Sequence, residues 1–148
     1  MVVGDGPELG WLREHLPGAV FTGLLHGEEL ARAFASLDVF VHTGEAETFC
    51  QTVQEAQASG VPVVAPAAGG PLDLVDPGRT GLLHDPGDPR SLRRTVAALV
   101  GDPDLRGSLS RAGTEAVRAR GWDALVDQLV TRHYAELVRP AVATGRAA

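Results

Sequence analysis

The sequence predicts an α/β domain in which a parallel sheet is flanked by helices. Short apolar runs alternate with segments of helical periodicity, the pattern of strands joined through crossover helices. The run Val39-Phe40-Val41, ending at His42, and the run Val63-Val64-Ala65 are apolar throughout, as in strands buried on both faces. At 148 residues, 44% hydrophobic and 22% charged, the chain can build one domain with a real core.

Taken in order, Met1-Val2-Val3 reads as the tail of a strand. Gly4-Asp5-Gly6-Pro7 is a turn that places proline at a helix start. A helix follows from about Glu8 to Leu16, with Leu9, Leu12 and Leu16 on one face. Pro17-Gly18 ends it, and Ala19-Val20-Phe21-Thr22 is the next strand. Gly27 opens a helix through Ser36, and Asp38 leads into the strand at 39–42. The segment from His42 is a loop, followed by a helix to about Ser59. Gly60-Val61-Pro62 turns into a strand at 62–65, and Gly69-Gly70-Pro71 introduces a short helix near Leu72–Val75. Gly81-Leu82-Leu83-His84 is a last short strand. After Pro89 three helices are expected, at about 90–100, 103–120 and 122–138, separated by Gly101-Asp102-Pro103 and Gly121-Trp122. The domain therefore spans 1–138, and 139–148 is a small, polar tail expected to fray.

Composition removes several classes of function. The net charge of −6 argues against nucleic acid, which needs a clustered basic footprint. The basic groupings, Arg90 with Arg93-Arg94 and the Arg118/Arg120 pair, have acidic residues such as Asp88 and Glu115 close by in sequence. No apolar run approaches the roughly 20 residues that span a bilayer, and no secretory leader pattern opens the chain. The single cysteine, Cys50, excludes an internal disulfide, so a cytoplasmic home is the simplest reading. The chain holds no lysine, so no lysine of its own can clamp a phosphate. His15, His26, His42, His84 and His133 have no ligand spacing, and no metal site is expected.

In an open parallel sheet, ligands bind beyond the carboxyl ends of the strands. That directs attention to the loop after Val41. Thr48 and Gln51 have the spacing of a capping box, which would start a helix at Phe49. The amides of Phe49, Cys50, Gln51 and Thr52 would then point out unpaired. With the positive end of the helix dipole they would suit a diphosphate. Glu47 stands at the mouth of that site and Glu55 about two turns inside the helix. A carboxylate can accept from a pair of neighbouring hydroxyls, the usual way to hold a ribose or a hexose. A solvated loop residue and an exposed helix position would show the same spacing, so the spacing leaves both readings open.

The stretch resembles the signature of the family-4 retaining glycosyltransferases with two Rossmann-like domains. Their pattern is a Glu, seven residues, a second Glu, then a small-rich run into Gly-Val-Pro-Val-Val and a Gly-Gly pair. Here it stands as Glu47, Glu55, Gly60-Val61-Pro62-Val63-Val64 and Gly69-Gly70. The flanks Val3-Gly4-Asp5-Gly6-Pro7, Phe21-Thr22-Gly23, Leu37-Asp38-Val39-Phe40-Val41 and Thr80-Gly81-Leu82-Leu83 are similar too. Within the family, Glu47-Thr48-Phe49-Cys50-Gln51 through Pro71-Leu72-Asp73 looks most like actinobacterial GDP-mannose-dependent α-mannosyltransferases.

The resemblance implies a nucleotide-sugar-binding carboxyl-terminal domain with a Rossmann-like sheet. It implies that Glu47 contacts the donor sugar, that Glu55 holds the nucleotide ribose, and that the amides around Cys50–Thr52 take phosphate. The backbone near Leu25 would face the base. Cys50 stands where the family commonly has glycine, which would narrow the phosphate approach slightly. The implied reaction needs no metal and no cofactor beyond the donor, GDP-mannose being favoured. The acceptor would be held by an amino-terminal domain absent from this chain, and the isolated chain would be inactive. Peripheral attachment of the full-length enzyme at the inner membrane face is left open.

The same resemblance sets the first strand of the domain, and a following loop with an Arg and a Lys, before Met1. In the order 3-2-1-4-5-6 that strand is the central one. Two outcomes are expected for the vacated slot: Met1–Val3 moves in beside Val39–His42, or a second chain fills it as a strand-swapped homodimer.

Competing signals point elsewhere. Gly4-x-Gly6 has Leu9 where a dinucleotide fingerprint has its third glycine. Cys50 at a helix start is a candidate nucleophile with His42 or His84 as partner, against the plainer reading of a small residue at a tight turn. Trp11 and Trp122 fall at apolar helix positions and read as core or interface. The different-class alternative is a binding-only module that holds a nucleotide and transfers nothing.

Overall fold

A computed structural model of the chain describes residues 1–137. The tail expected at 139–148, and the last residue of the final expected helix, lie outside the described residues. In chain order the elements are α1 (Leu9–His15), α2 (Gly27–Ala35), β1 (Phe40–Val41), α3 (Gln51–Ala58), β2 (Val63–Pro66), α4 (Pro71–Leu74) and β3 (Leu82–His84). Then follow α5 (Pro89–Gly101), α6 (Pro103–Arg118), α7 (Trp122–Gln128), a π turn (Leu129–Tyr134) and α8 (Ala135–Leu137).

The three strands form one parallel sheet in the order β1-β2-β3. All four residues of the central strand β2 are buried, which is why its sequence is apolar without alternation. Val63 and Ala65 face one cluster, shared with Phe34 of α2, with Val53 and Ala56 of α3, and with Leu74 and Val75 at the end of α4. Val64 faces the other way, against Leu99 of α5 and Leu109 of α6. The result is a layer of sheet between two layers of helix, the Rossmann-like architecture the motifs imply.

Aspartates start the two long helices. Asp88 accepts from the Arg90 amide at 2.8 Å and Asp102 from the Leu105 amide at 2.9 Å. Each is followed by a proline whose missing N–H falls where no partner exists. α6 then clamps the far end of α3. Ser110 donates to the Gly60 carbonyl at 2.6 Å and Thr114 to the Gln57 carbonyl at 2.9 Å. Gly113 allows that approach: a Cβ there would stand 3.2 Å from Gln57 Cγ. α3 is thus fixed at its carboxyl end and presents its amino end at the sheet edge.

Residues 1–23 form a separate patch of strand-like pairing. Val2 N–H donates to the Val20 carbonyl at 2.7 Å, the Val2 carbonyl accepts from Thr22 N–H at 3.1 Å, and a parallel bridge joins Val2 to Phe21. The first expected outcome for the vacated slot is therefore not observed. Met1–Val3 does not move in beside Val39–His42, because the backbone groups of Val2 are already taken by 20–22. Among the described residues β1 pairs with β2 alone.

The last helical stretch differs from the rest. No residue of α7 or of the π turn is buried, and Trp122 is 82% exposed. Trp11, 55% exposed, stacks on His15 with ring centroids 4.0 Å apart. Neither tryptophan is core.

Candidate functional site

The loop from His42 to Cys50 connects the carboxyl end of β1 to the start of α3. It begins anchored in the sheet, where His42 N–H donates to the Val64 carbonyl at 2.8 Å. It ends at Cys50, whose φ of 58° lies in the left-handed region. This conformation moves the helix start. The capping box expected at Thr48 does not form, no side chain caps α3, and the helix begins at Gln51 rather than Phe49. A left-handed residue interrupts the helical run, so the chain enters α3 two residues later than the Thr48–Gln51 spacing implies.

The expected row of free donors survives that shift. Among the described residues the amides of Phe49, Cys50, Gln51 and Thr52 make no hydrogen bond; the first amide of the helix to find a partner is Val53, to the Cys50 carbonyl at 3.1 Å. Cys50 is 3% exposed and packs into the cluster of Val53, Ala56 and Val63. Its side chain therefore lies in the core instead of narrowing the approach to the amides. Its Sγ lies 3.7 Å from Thr52 Oγ1 and, among the described residues, makes no hydrogen bond to His42 or His84, the bases considered for it.

A second loop braces the first. Gly70 N–H donates to the Glu47 carbonyl at 2.7 Å. A Cβ on Gly70 would stand 2.7–2.9 Å from the Phe49 backbone, and one on Gly69 would collide with the Glu47 carbonyl. The Gly69-Gly70 pair thus exists to let backbone meet backbone beside the free amides. A further strap comes from Glu45, whose carboxylate accepts from Gly87 N–H at 2.7 Å in the turn after β3. Glu45 carries no sequence signal for that contact, and the role of the glycines depends on a contact between segments 20 residues or more apart.

Glu47 is exposed and Glu55 half-buried; among the described residues neither carboxylate has a hydrogen-bond or ion-pair partner. Glu55 sits in the second turn of α3, beside the buried Val53 and Ala56. Leu25 is half-buried in the loop that leads into α2. That helix shares the core of α3 through Leu30 and Phe34, and no hydrogen bond joins Leu25 to the 42–50 loop. The structure therefore brings Glu47, the four amides and Glu55 together on one loop-helix unit and holds Leu25 on the neighbouring one. Such a row of fixed amides at a helix start can hold an anion, and the flanking carboxylates can accept from hydroxyls. Among the described residues no cluster of three or more His, Cys, Asp or Glu is placed to hold a metal ion, and no helix is long and apolar enough to cross a membrane.

Comparison with known proteins gives this unit a context. The family model for the group 1 glycosyl transferases matches residues 1–102. The chain is 49% identical over 138 residues to the GDP-mannose-dependent alpha-mannosyltransferase of Corynebacterium glutamicum, covering 93% of this chain and 33% of that protein. It is 52% identical over 140 residues to the protein of the same name in Mycolicibacterium smegmatis, covering 94% and 36%. The chain thus spans about a third of the length of the curated relatives it matches. Among solved structures, sucrose-phosphate synthase from Thermosynechococcus elongatus superposes with a TM-score of 0.79 at 31% identity, over 91% of this chain and 37% of that one. Anabaena Alr3699/HepE in complex with UDP-glucose gives 0.75 at 25% identity, over 90% and 40%. On the family match across most of its length, and on the sheet and loop that carry the motifs, this chain belongs to the group 1 glycosyl transferases.

Proposed function

We propose that the chain is the donor-binding half of a two-domain retaining glycosyltransferase, and that the donor is a nucleoside diphosphate hexose, GDP-mannose first. The observation that carries this reading is the row of unpartnered amides at residues 49–52, set at the carboxyl edge of the sheet between two unpaired carboxylates. The diphosphate takes the amides, Glu55 holds the ribose, Glu47 meets the hexose, and the backbone at Leu25 faces the base. As the bond from the anomeric carbon to the diphosphate breaks, negative charge gathers on the departing phosphate. Fixed amides and the positive end of α3 meet that charge without reorganising. The choice of GDP-mannose is supported by the names of the relatives at 49% and 52% identity. No cofactor other than the donor is part of the proposal.

The test uses the full-length enzyme. A thermal-shift panel of GDP, UDP and ADP sugars is expected to give the largest shift with GDP-mannose, and labelled mannose is expected to reach an acceptor with its α configuration kept. A preference for a UDP or ADP sugar, or a product of inverted configuration by NMR, refutes the corresponding part. The purified 148-residue chain is expected to transfer nothing, because no acceptor is positioned and proximity supplies several kcal/mol of such a barrier. Product formed by that chain above the buffer rate refutes this last point.

A further inference from the structure

One polar atom beside the donor loop has no part in the scheme above. The ring of His42 presents a buried Nε2 with no hydrogen-bond partner among the described residues. Unpaired buried nitrogens are rare in folded proteins and call for an explanation. The backbone of His42 is held by its bond to the Val64 carbonyl, so the ring is presented from a fixed point.

The explanation lies across Gly44. A Cβ at that position would stand 3.0 Å from His42 Nε2 and 3.5 Å from Glu47 Cγ. The imidazole and the Glu47 side chain thus flank one small space. Gly44 is not among the glycines with positive φ, so backbone conformation does not demand glycine there. What glycine supplies is room between the two side chains. Glu47 is exposed, and among the described residues no hydrogen bond or ion pair fixes its carboxylate.

We propose that His42 is a positioning residue for Glu47. With the site loaded, Nε2–H donates to the Glu47 carboxylate across Gly44 and fixes the rotamer that meets the donor hexose. The inference rests on the role given to Glu47 in the proposed function. A hydrogen bond to a carboxylate suits the task, being short and directional.

The experiment is a double-mutant cycle on kcat in the full-length enzyme, with GDP affinity measured alongside. His42→Phe is expected to lower kcat about tenfold and leave GDP affinity unchanged, because GDP carries no hexose. His42→Gln, whose amide nitrogen reaches about as far as Nε2, is expected to restore most of the rate. In a Glu47→Ala background His42→Phe is expected to add no further loss. Gly44→Ala, which alters neither group but fills the space between them, should reproduce the loss and vanish in the same background. If His42→Phe fails to fold, the Gly44→Ala cycle decides the matter alone. Additive losses, no rescue by glutamine, or an equal fall in GDP affinity overturn the proposal in an enzyme that transfers sugar. A wild-type enzyme that transfers no hexose overturns the parent reading and this one together.

Discussion

The amide of Gly70 donates to the carbonyl of Glu47 at 2.7 Å, joining the loop after β2 to the loop before α3. The same glycine lies so close to Phe49 that a Cβ would meet its backbone at 2.7–2.9 Å. Gly70→Ala must therefore push apart two backbone segments, neither of which ends in a flexible side chain. We expect a loss of about 1–3 kcal/mol in stability, the usual cost of overpacking. GDP affinity should fall as well, since the free amides at Phe49 and Cys50 move with the loop. Urea unfolding and calorimetric GDP titration of the variant check both; wild-type GDP affinity in a folded variant would show that the brace does not set the amides.

The two carboxylates should separate by experiment. Glu55→Gln in the full-length enzyme is expected to weaken GDP binding by about 1–3 kcal/mol, the range for hydrogen bonds to a charged group. Glu47→Gln should slow transfer more than it weakens GDP binding. Equal effects of the two changes on GDP affinity would end this division of labour.

Cys50 tests the left-handed entry to α3. Its φ of 58° is disfavoured for a side-chain-bearing residue by about 1–2 kcal/mol, and its sulfur is buried. Cys50→Gly relieves the first and loses the second, so its net effect should stay within about 1 kcal/mol. Cys50→Val puts a β-branched side chain into that conformation and should destabilise by about 2 kcal/mol or more. A valine variant as stable as wild type by denaturant unfolding would mean that the backbone there is not left-handed.

The open edge of β1 makes a prediction about the isolated chain. Residues of a strand direct their backbone groups alternately to either side. Phe40 and His42 bond toward β2, so Val41, 39% exposed, turns its N–H and carbonyl away from it. Such an edge recruits another strand. We expect the 148-residue chain to self-associate as a strand-swapped dimer at micromolar concentration, and amides before Asp38 to exchange faster than those of β2. Sedimentation of a monomer at every concentration would dispose of the first expectation, and uniform protection along the chain of the second.

Much of this architecture is legible in the sequence because it is local. The continuous apolar run at Val63-Val64-Ala65 marks the central strand, and Asp88-Pro89 and Asp102-Pro103 mark the starts of α5 and α6. The free amides and the flanking Glu47 and Glu55 follow from one helix placed after one strand. The misreadings have a shared cause in contacts between distant segments. Thr48 and Gln51 have capping-box spacing, yet the left-handed Cys50, which shares a buried cluster with Val63 and Leu74, puts the helix start at Gln51. Helical spacing marks Trp11 and Trp122 as apolar positions but cannot say that among the described residues both stay mostly exposed, Trp11 with His15 stacked on it.

The π turn at Leu129–Tyr134 has a consequence for length. From Trp122, helical spacing runs through Leu125, Val126 and Leu129, and an uninterrupted α-helix would next bring Arg132, His133 and Glu136 onto that face. A π turn holds one residue more than an α turn and delays the phase by about 100°. Tyr134 and Leu137 thereby fall in line with Trp122 in place of Arg132. Deleting one residue between 129 and 134 would restore α geometry and rotate everything beyond it by about 100°. An insertion or deletion of this size, harmless in most exposed segments, would here split a single stripe into two that face different ways.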